Sequence, residues 1–147
     1  MRKKLKPEEL PENIIRILSP YFPNVDLSRV RISIGIPALL RRAARIPPVA
    51  ITIGRRIYFA HRGAGGFDPD TFEGIELIAH ELTHVRQFRA FKTRAGFGLS
   101  YLGEYRRHRA TGKTEHEAYS SISYEVEAKE NAARIVRDIR DRTKSTD

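Results

Sequence analysis

The sequence predicts an α+β fold, mainly helical, with a small antiparallel sheet or hairpin placed ahead of a central helix. Three observations point there. Apolar residues recur at three- and four-residue spacing through 71–90 and again through 115–140, as amphipathic helices require. The stretch "VAITIGRRIYFA" alternates on either side of a Gly-Arg pair, as a hairpin does. A chain of 147 residues, 40% of them hydrophobic, is enough for one core, and no internal repeat or composition shift marks a second unit. We therefore expect a single domain over 1–147, with about 1–6 and 142–147 as frayed tails.

In chain order, "PEELPENIIRIL" (7–18) reads as a short helix that the two prolines of "SPYFPN" end. "VRISIGI" alternates, with Ile32, Ile34 and Ile36 on one side of a strand. "PALLRRAAR" reads as a short helix that "IPP" stops, because a residue before proline disfavours the helical region. In the hairpin, Val49, Ile51 and Ile53 lead into a turn at Gly54-Arg55, and Ile57 and Phe59 lead out. "HRGAGGFDP" is a glycine-rich loop that holds His61 as a loop histidine. Asp70, with Glu73 three residues on, reads as the N-cap of the central helix, about Thr71 to Ala90. "TRAGFG" reads as an interruption, "LSYLGEYRRHRA" as a further helix, and Glu115 to about Arg140 as one last helix.

Composition narrows the chemistry. There is no cysteine, which excludes disulfides and thiolate metal sites; any transition metal must be held by His, Asp or Glu. The 27 Lys and Arg outnumber the 18 Asp and Glu, for a net charge of +9. That charge allows a nucleic-acid, anionic-membrane or acidic-protein partner, but the basic residues are spread along the chain and are not interleaved with aromatics as in a stacking platform. No apolar run approaches the ~18 residues a transmembrane helix needs. "MRKKLKPEEL" has no apolar stretch behind its basic start, so the expectation is a cytoplasmic protein or one exported by a non-Sec route.

The chemistry concentrates in "AHELTHVRQ" (79–87). His80 and His84 stand four apart, so both imidazoles share one helix face within reach of one ion. Glu81 is one step round, placed to act on a metal-bound water instead of ligating. Glu76 and Gln87 share the histidine face, while Ile75, Ile78, Leu82 and Val85 form the opposite one. A catalytic zinc site wants a third protein ligand and an open position. His108 and His116 are candidates by residue type. Glu125 is a stronger one: in "SYEVEAKENAARIV" it falls in the apolar stripe with Ala118, Ala128, Ala132, Val136 and Ile139. A carboxylate there costs several kcal/mol unless it is protonated, hydrogen-bonded or bound to a cation. The competing explanation is an ion pair with Lys129, and Glu127 on the polar face is the fallback ligand. Metal-assisted hydrolysis follows, with Zn²⁺ as cofactor, Glu81 as general base and an oxyanion donor left open among Tyr124, Tyr119, His108 and His116. The strand "IYFAH" offers an edge for an extended peptide.

Residues 50–87, "AITIGRRIYFAHRGAGGFDPDTFEGIELIAHELTHVRQ", resemble the zinc-metallopeptidase-like core domain of extracellular contractile injection systems, in their alternating strand, Gly turn, I-Y-F, loop, D-P, E-G and HExxHxxQ order. "VRISIGIPALLRRAARIPP" fits that family's lead-in, and "YEVEAKENA" is similar to the E-x-E-A element from which gluzincin peptidases take their third ligand. The resemblance implies a minimal zincin-like fold and a site of His80, His84 and Glu125 with Glu81 as base; Gln87, Tyr124 and His116 are candidates for the groups around it. Lys129 stands where many gluzincins have Asp. Three functions are then open: a zinc metallopeptidase acting on a peptide or protein, a non-catalytic zinc-binding or targeting module of an injection system with a protein partner, and a basic nucleic-acid-binding protein.

Overall fold

The computed structural model describes residues 6–44 and 48–146. The frayed start expected over the first residues, and most of the helix stop expected at "IPP", fall on residues 1–5 and 45–47, outside the described residues. The described chain is mixed α+β. The elements are β1 (Glu8–Glu9), α1 (Glu12–Leu18), β2 (Arg31–Ile34), α2 (Ala38–Ala43), β3 (Ala50–Ile53), β4 (Arg56–Phe59), α3 (Phe72–Ala90), α4 (Arg94–Ala110), α5 (Glu115–Ser121) and α6 (Ser123–Lys144). Two short 3-10 turns, Ser19–Tyr21 and Leu27–Arg29, lie between α1 and β2.

The sheet has the order β1-β2-β4-β3 and is mixed, which corrects the expected antiparallel sheet. β3 and β4 do form the antiparallel hairpin, but β4 lies parallel to β2, and the two-residue β1 adds an antiparallel edge. Burial accounts for the order. Ile57 and Phe59 of β4 and Ile32 of β2 are fully buried, and a parallel pair is stable only where it is covered. β3 carries Thr52 on its core face and takes the edge. The hairpin register sets Thr52 opposite Ile57 and Ile51 opposite Tyr58. Thr52 is therefore buried, while Ile51 and Ile53 lie on the outer face and are only half-buried. The turn is glycine-first, as expected: Gly54 has φ 63°, and no non-glycine residue among those described has a positive φ.

The boundary expectations fail at four places, three for a local reason and the last through a contact from another helix. Residues 8–9 are strand, not helix, because Pro11 excludes Leu10 from the helical region and α1 starts after it. The cap of α3 is Thr71, whose hydroxyl accepts from the Gly74 N–H at 3.1 Å, not Asp70. "TRAGFG" is the first turn of α4: Thr93 caps it through the Gly96 N–H at 3.0 Å, and Phe97 is buried against Phe88. The last helix is two. Ile122, at φ −60° and ψ 130°, breaks it, and Glu104 of α4 accepts from both the N–H and hydroxyl of Ser123 to cap α6 from outside. α6 continues to Lys144, into the stretch expected to fray.

The core joins α1, the sheet's inner face, α3 and α6. Ala132, Ile135 and Val136 of α6 join one buried cluster with Ile78, Leu82 and Val85 of α3, and Asn131 reaches the Thr83 hydroxyl at 3.1 Å. α3 enters this core at close range: a Cβ on Gly74 would lie 1.7 Å from the Asp68 carbonyl oxygen. Gly74→Ala should therefore cost about 1–3 kcal/mol through forced backbone movement, against a usually favourable helix propensity; urea unfolding of the two proteins measures it.

Candidate metal centre

α3 supplies the first half of the site. Its four-residue spacing brings the His80 and His84 rings edge to face, with centroids 4.9 Å apart. One ligand atom each from His80, Glu81 and His84 lies within 4.8 Å of the others. α6 supplies the second half. Glu125 Oε2 is 3.1 Å from His80 Nε2, and Glu125 Oε1 is 3.2 Å from His84 Nε2. The carboxylate thus spans both imidazoles. Glu81, His84 and Glu125 are 5–7% exposed, and His80 is half-buried.

Neighbouring groups orient these side chains. His84 Nδ1 is 2.8 Å from Gln87 Oε1, and the Gln87 amide donates to the Tyr124 carbonyl at 3.0 Å. With the amide so used, its oxygen accepts the Nδ1 proton, and His84 Nε2 faces Glu125. Thr52 of β3 donates to Glu81 Oε2 at 2.6 Å, which ties Glu81 to the sheet edge. Tyr101 of α4 donates to Glu125 Oε1 at 3.0 Å, and the Tyr119 ring of α5 meets the Tyr101 ring with centroids 6.4 Å apart.

The electrostatics follow. Burial works against the charged form of His84, but the hydrogen bond and charge of Glu125, with the Glu81 charge, outweigh it and raise its pKa to about 9. Burial likewise opposes the Glu125 carboxylate, yet its bonds to His80 and His84 hold it well below the usual range. Burial and then the charge of Glu125 push the phenols of Tyr101 and Tyr119 above their ordinary value of 10. A dication fits this donor set. Two imidazole nitrogens and a carboxylate converge, and the outer nitrogen of His84 already has its partner, as ligating histidines usually do.

The remaining sequence candidates go elsewhere. Glu127 is exposed and pairs with Arg86 of α3 at 2.5 Å, and Lys129 is exposed and not the partner of Glu125. His108 Nδ1 lies 3.0 Å from Lys113 Nζ, and His116 is exposed on α5; neither joins the cluster among the described residues. The Tyr124 hydroxyl bonds Ser100 at 2.6 Å, and Tyr124 meets the site through its carbonyl. His61 is exposed in its loop. Two residues were not anticipated: Thr52 and Tyr101. Phe97, Tyr101 and Tyr105 recur at helical spacing, which marks an aromatic face of α4 but not which of them reaches Glu125.

A helix bearing His-Glu-x-x-His, faced by a buried glutamate on a second helix, defines the class: a small α+β domain with a candidate metal-binding centre. The model of the eCIS core domain matches residues 9–91, more than half of the chain, and the chain belongs to that family, which associates it with extracellular contractile injection systems. No curated protein and no solved structure matches the chain at a significant level. No helix among the described residues is long and apolar enough to cross a membrane.

Metal-free protein should show the charge balance as a pH profile. His84, with its folded pKa above the ordinary 6.5, contributes stability that is present below pH 6.5 and lost as pH rises through about 9. Glu125, with its folded pKa below the ordinary 4.5, contributes stability that is present above 4.5 and lost toward lower pH. Thermal melts after chelation should show a midpoint falling between pH 6.5 and 9, and Glu125→Gln should flatten that fall.

Proposed function

We propose that this chain is a zinc-dependent metallopeptidase of minimal zincin-like fold, with His80, His84 and Glu125 as metal ligands and Glu81 as general base. The observation that carries the reading is the Glu125 carboxylate set between both histidine Nε2 atoms, with Glu81 alongside on α3. Zinc held there would supply Lewis-acid polarisation of a carbonyl and a water made acidic enough to attack near neutral pH. The chain's own residues do the rest. Glu81, one helical step from the ligands, accepts a proton from water and returns it to the leaving amine. Thr52 holds one of its oxygens and leaves the other to the proton. Among the candidate oxyanion donors, Tyr119 is favoured, since it is 39% exposed and its ring meets that of Tyr101, the hydroxyl partner of Glu125, with centroids 6.4 Å apart.

An extended substrate has an edge to pair with, although not the strand first expected. "IYFAH" falls on β4, which is covered on both sides by β2 and β3. The edge is β3. The Ala60 N–H donates to the Val49 carbonyl at 2.8 Å, so Val49, Ile51 and Ile53 face β4, and the backbone groups of Ala50 and Thr52 face outward.

The second reading is a non-catalytic metal-binding module that serves an injection system through a protein partner. The burial of Glu81, His84 and Glu125 favours it, because it leaves a substrate little access. Metal content and cleavage separate the two readings. Dialysed wild-type protein should hold about one zinc per chain by elemental mass spectrometry, and Glu125→Gln should lose it. Wild-type protein should cleave members of a diverse peptide library read by mass spectrometry. Glu81→Gln should keep its zinc and cleave roughly 10²–10⁴-fold more slowly. Zinc without cleavage selects the second reading; protein that takes up no zinc rejects both.

A further inference from the structure

α4 reaches the site through two consecutive residues that grip two consecutive residues of α6. Ser100 bonds the Tyr124 hydroxyl at 2.6 Å, and Tyr101 donates to Glu125 Oε1 at 3.0 Å. The Tyr101 ring is fixed on several sides. It stacks on Tyr124 with 10° between the planes and centroids 6.5 Å apart, and it meets Phe97 at 6.1 Å and Tyr119 at 6.4 Å. A half-buried phenol so enclosed has little freedom to leave its acceptor. The carboxylate it holds is otherwise free to turn about its last side-chain bond, which the two histidines alone do not prevent once their nitrogens are engaged by an ion.

We propose that Tyr101 is a positioning residue of the metal centre: its hydroxyl fixes the orientation of the Glu125 carboxylate so that this side chain and the two histidines meet one ion together. The inference rests on the metal-centre reading above and adds a residue that lies on a different helix from every ligand. It also gives α4 a role at the site. Phe97, the one residue of that helix that is buried as a whole, is the aromatic anchor beside Tyr101.

The test compares Tyr101→Phe with Tyr124→Phe in the full chain. Each removes one hydroxyl from the same aromatic cluster, but only the first hydroxyl touches Glu125. Zinc affinity is read by competition with a chromophoric chelator, and the ligand geometry by the visible absorption of the cobalt-substituted proteins. Tyr101→Phe should weaken zinc binding by about 10–100-fold and alter the cobalt spectrum, while Tyr124→Phe stays within about twofold of wild type with an unchanged spectrum. Zinc affinity of Tyr101→Phe within about twofold of wild type, with Glu125→Gln losing its zinc, overturns the positioning role and leaves the ligand set standing. Equal losses in the two Tyr variants also overturn it, because they place the effect in the aromatic packing and not in the hydroxyl. Wild-type protein that binds no zinc removes the proposal together with the reading beneath it. Far-ultraviolet circular dichroism and thermal midpoints of both variants establish that the folded state is being titrated.

Discussion

A carboxylate, Glu125, sits in the apolar stripe of α6, and the surrounding structure answers the problem that this creates. A buried charge is tolerated only when its lost hydration is replaced. Here the replacement comes from three side chains on two helices: His80 and His84 on α3, and Tyr101 on α4. α6 must therefore lie against α3 in one register, and the alanines at positions 128 and 132 allow the close approach. The break at Ile122 follows from the same demand. It separates α5 from α6 and lets the Tyr119 ring of α5 meet Tyr101, while Glu104 of α4 takes over the capping of α6.

The parts of the site that were legible in the sequence are those fixed by periodicity within one helix. Four-residue spacing places His80 beside His84 whatever else the chain does, and Gln87 falls on the same face by the same rule. Glu125 was visible as a polar residue at an apolar position. Tyr101 and Thr52 were not, for different reasons. Tyr101 depends on how α4 rolls against α6, which no local pattern determines. Thr52 depends on hairpin register: the apolar neighbours Ile51 and Ile53 suggested the opposite core face, and the two-residue turn overrode them. β1 escaped notice because two glutamates carry no alternation, and the single long helix expected at the end failed because its cap comes from a residue on α4.

The basic surplus is partly engaged in structure. Arg62 pairs with Glu8 at 2.7 Å, Arg86 with Glu127, and Arg140 lies over the Phe72 ring at 4.5 Å. These contacts tie β1 to the loop after β4, and α6 to α3.

Thr52 belongs to two systems at once. Its backbone groups face the open side of β3, while its hydroxyl holds Glu81 from within. Any chain that pairs with this edge fixes the dihedral angles of Thr52, and with them the direction in which its hydroxyl points. A single residue thus stands between the open side of the sheet and the carboxylate inside it, over the width of one strand. The proposed recognition edge and the proposed general base therefore share one residue, which belongs to the sheet and not to the helices that carry the candidate ligands.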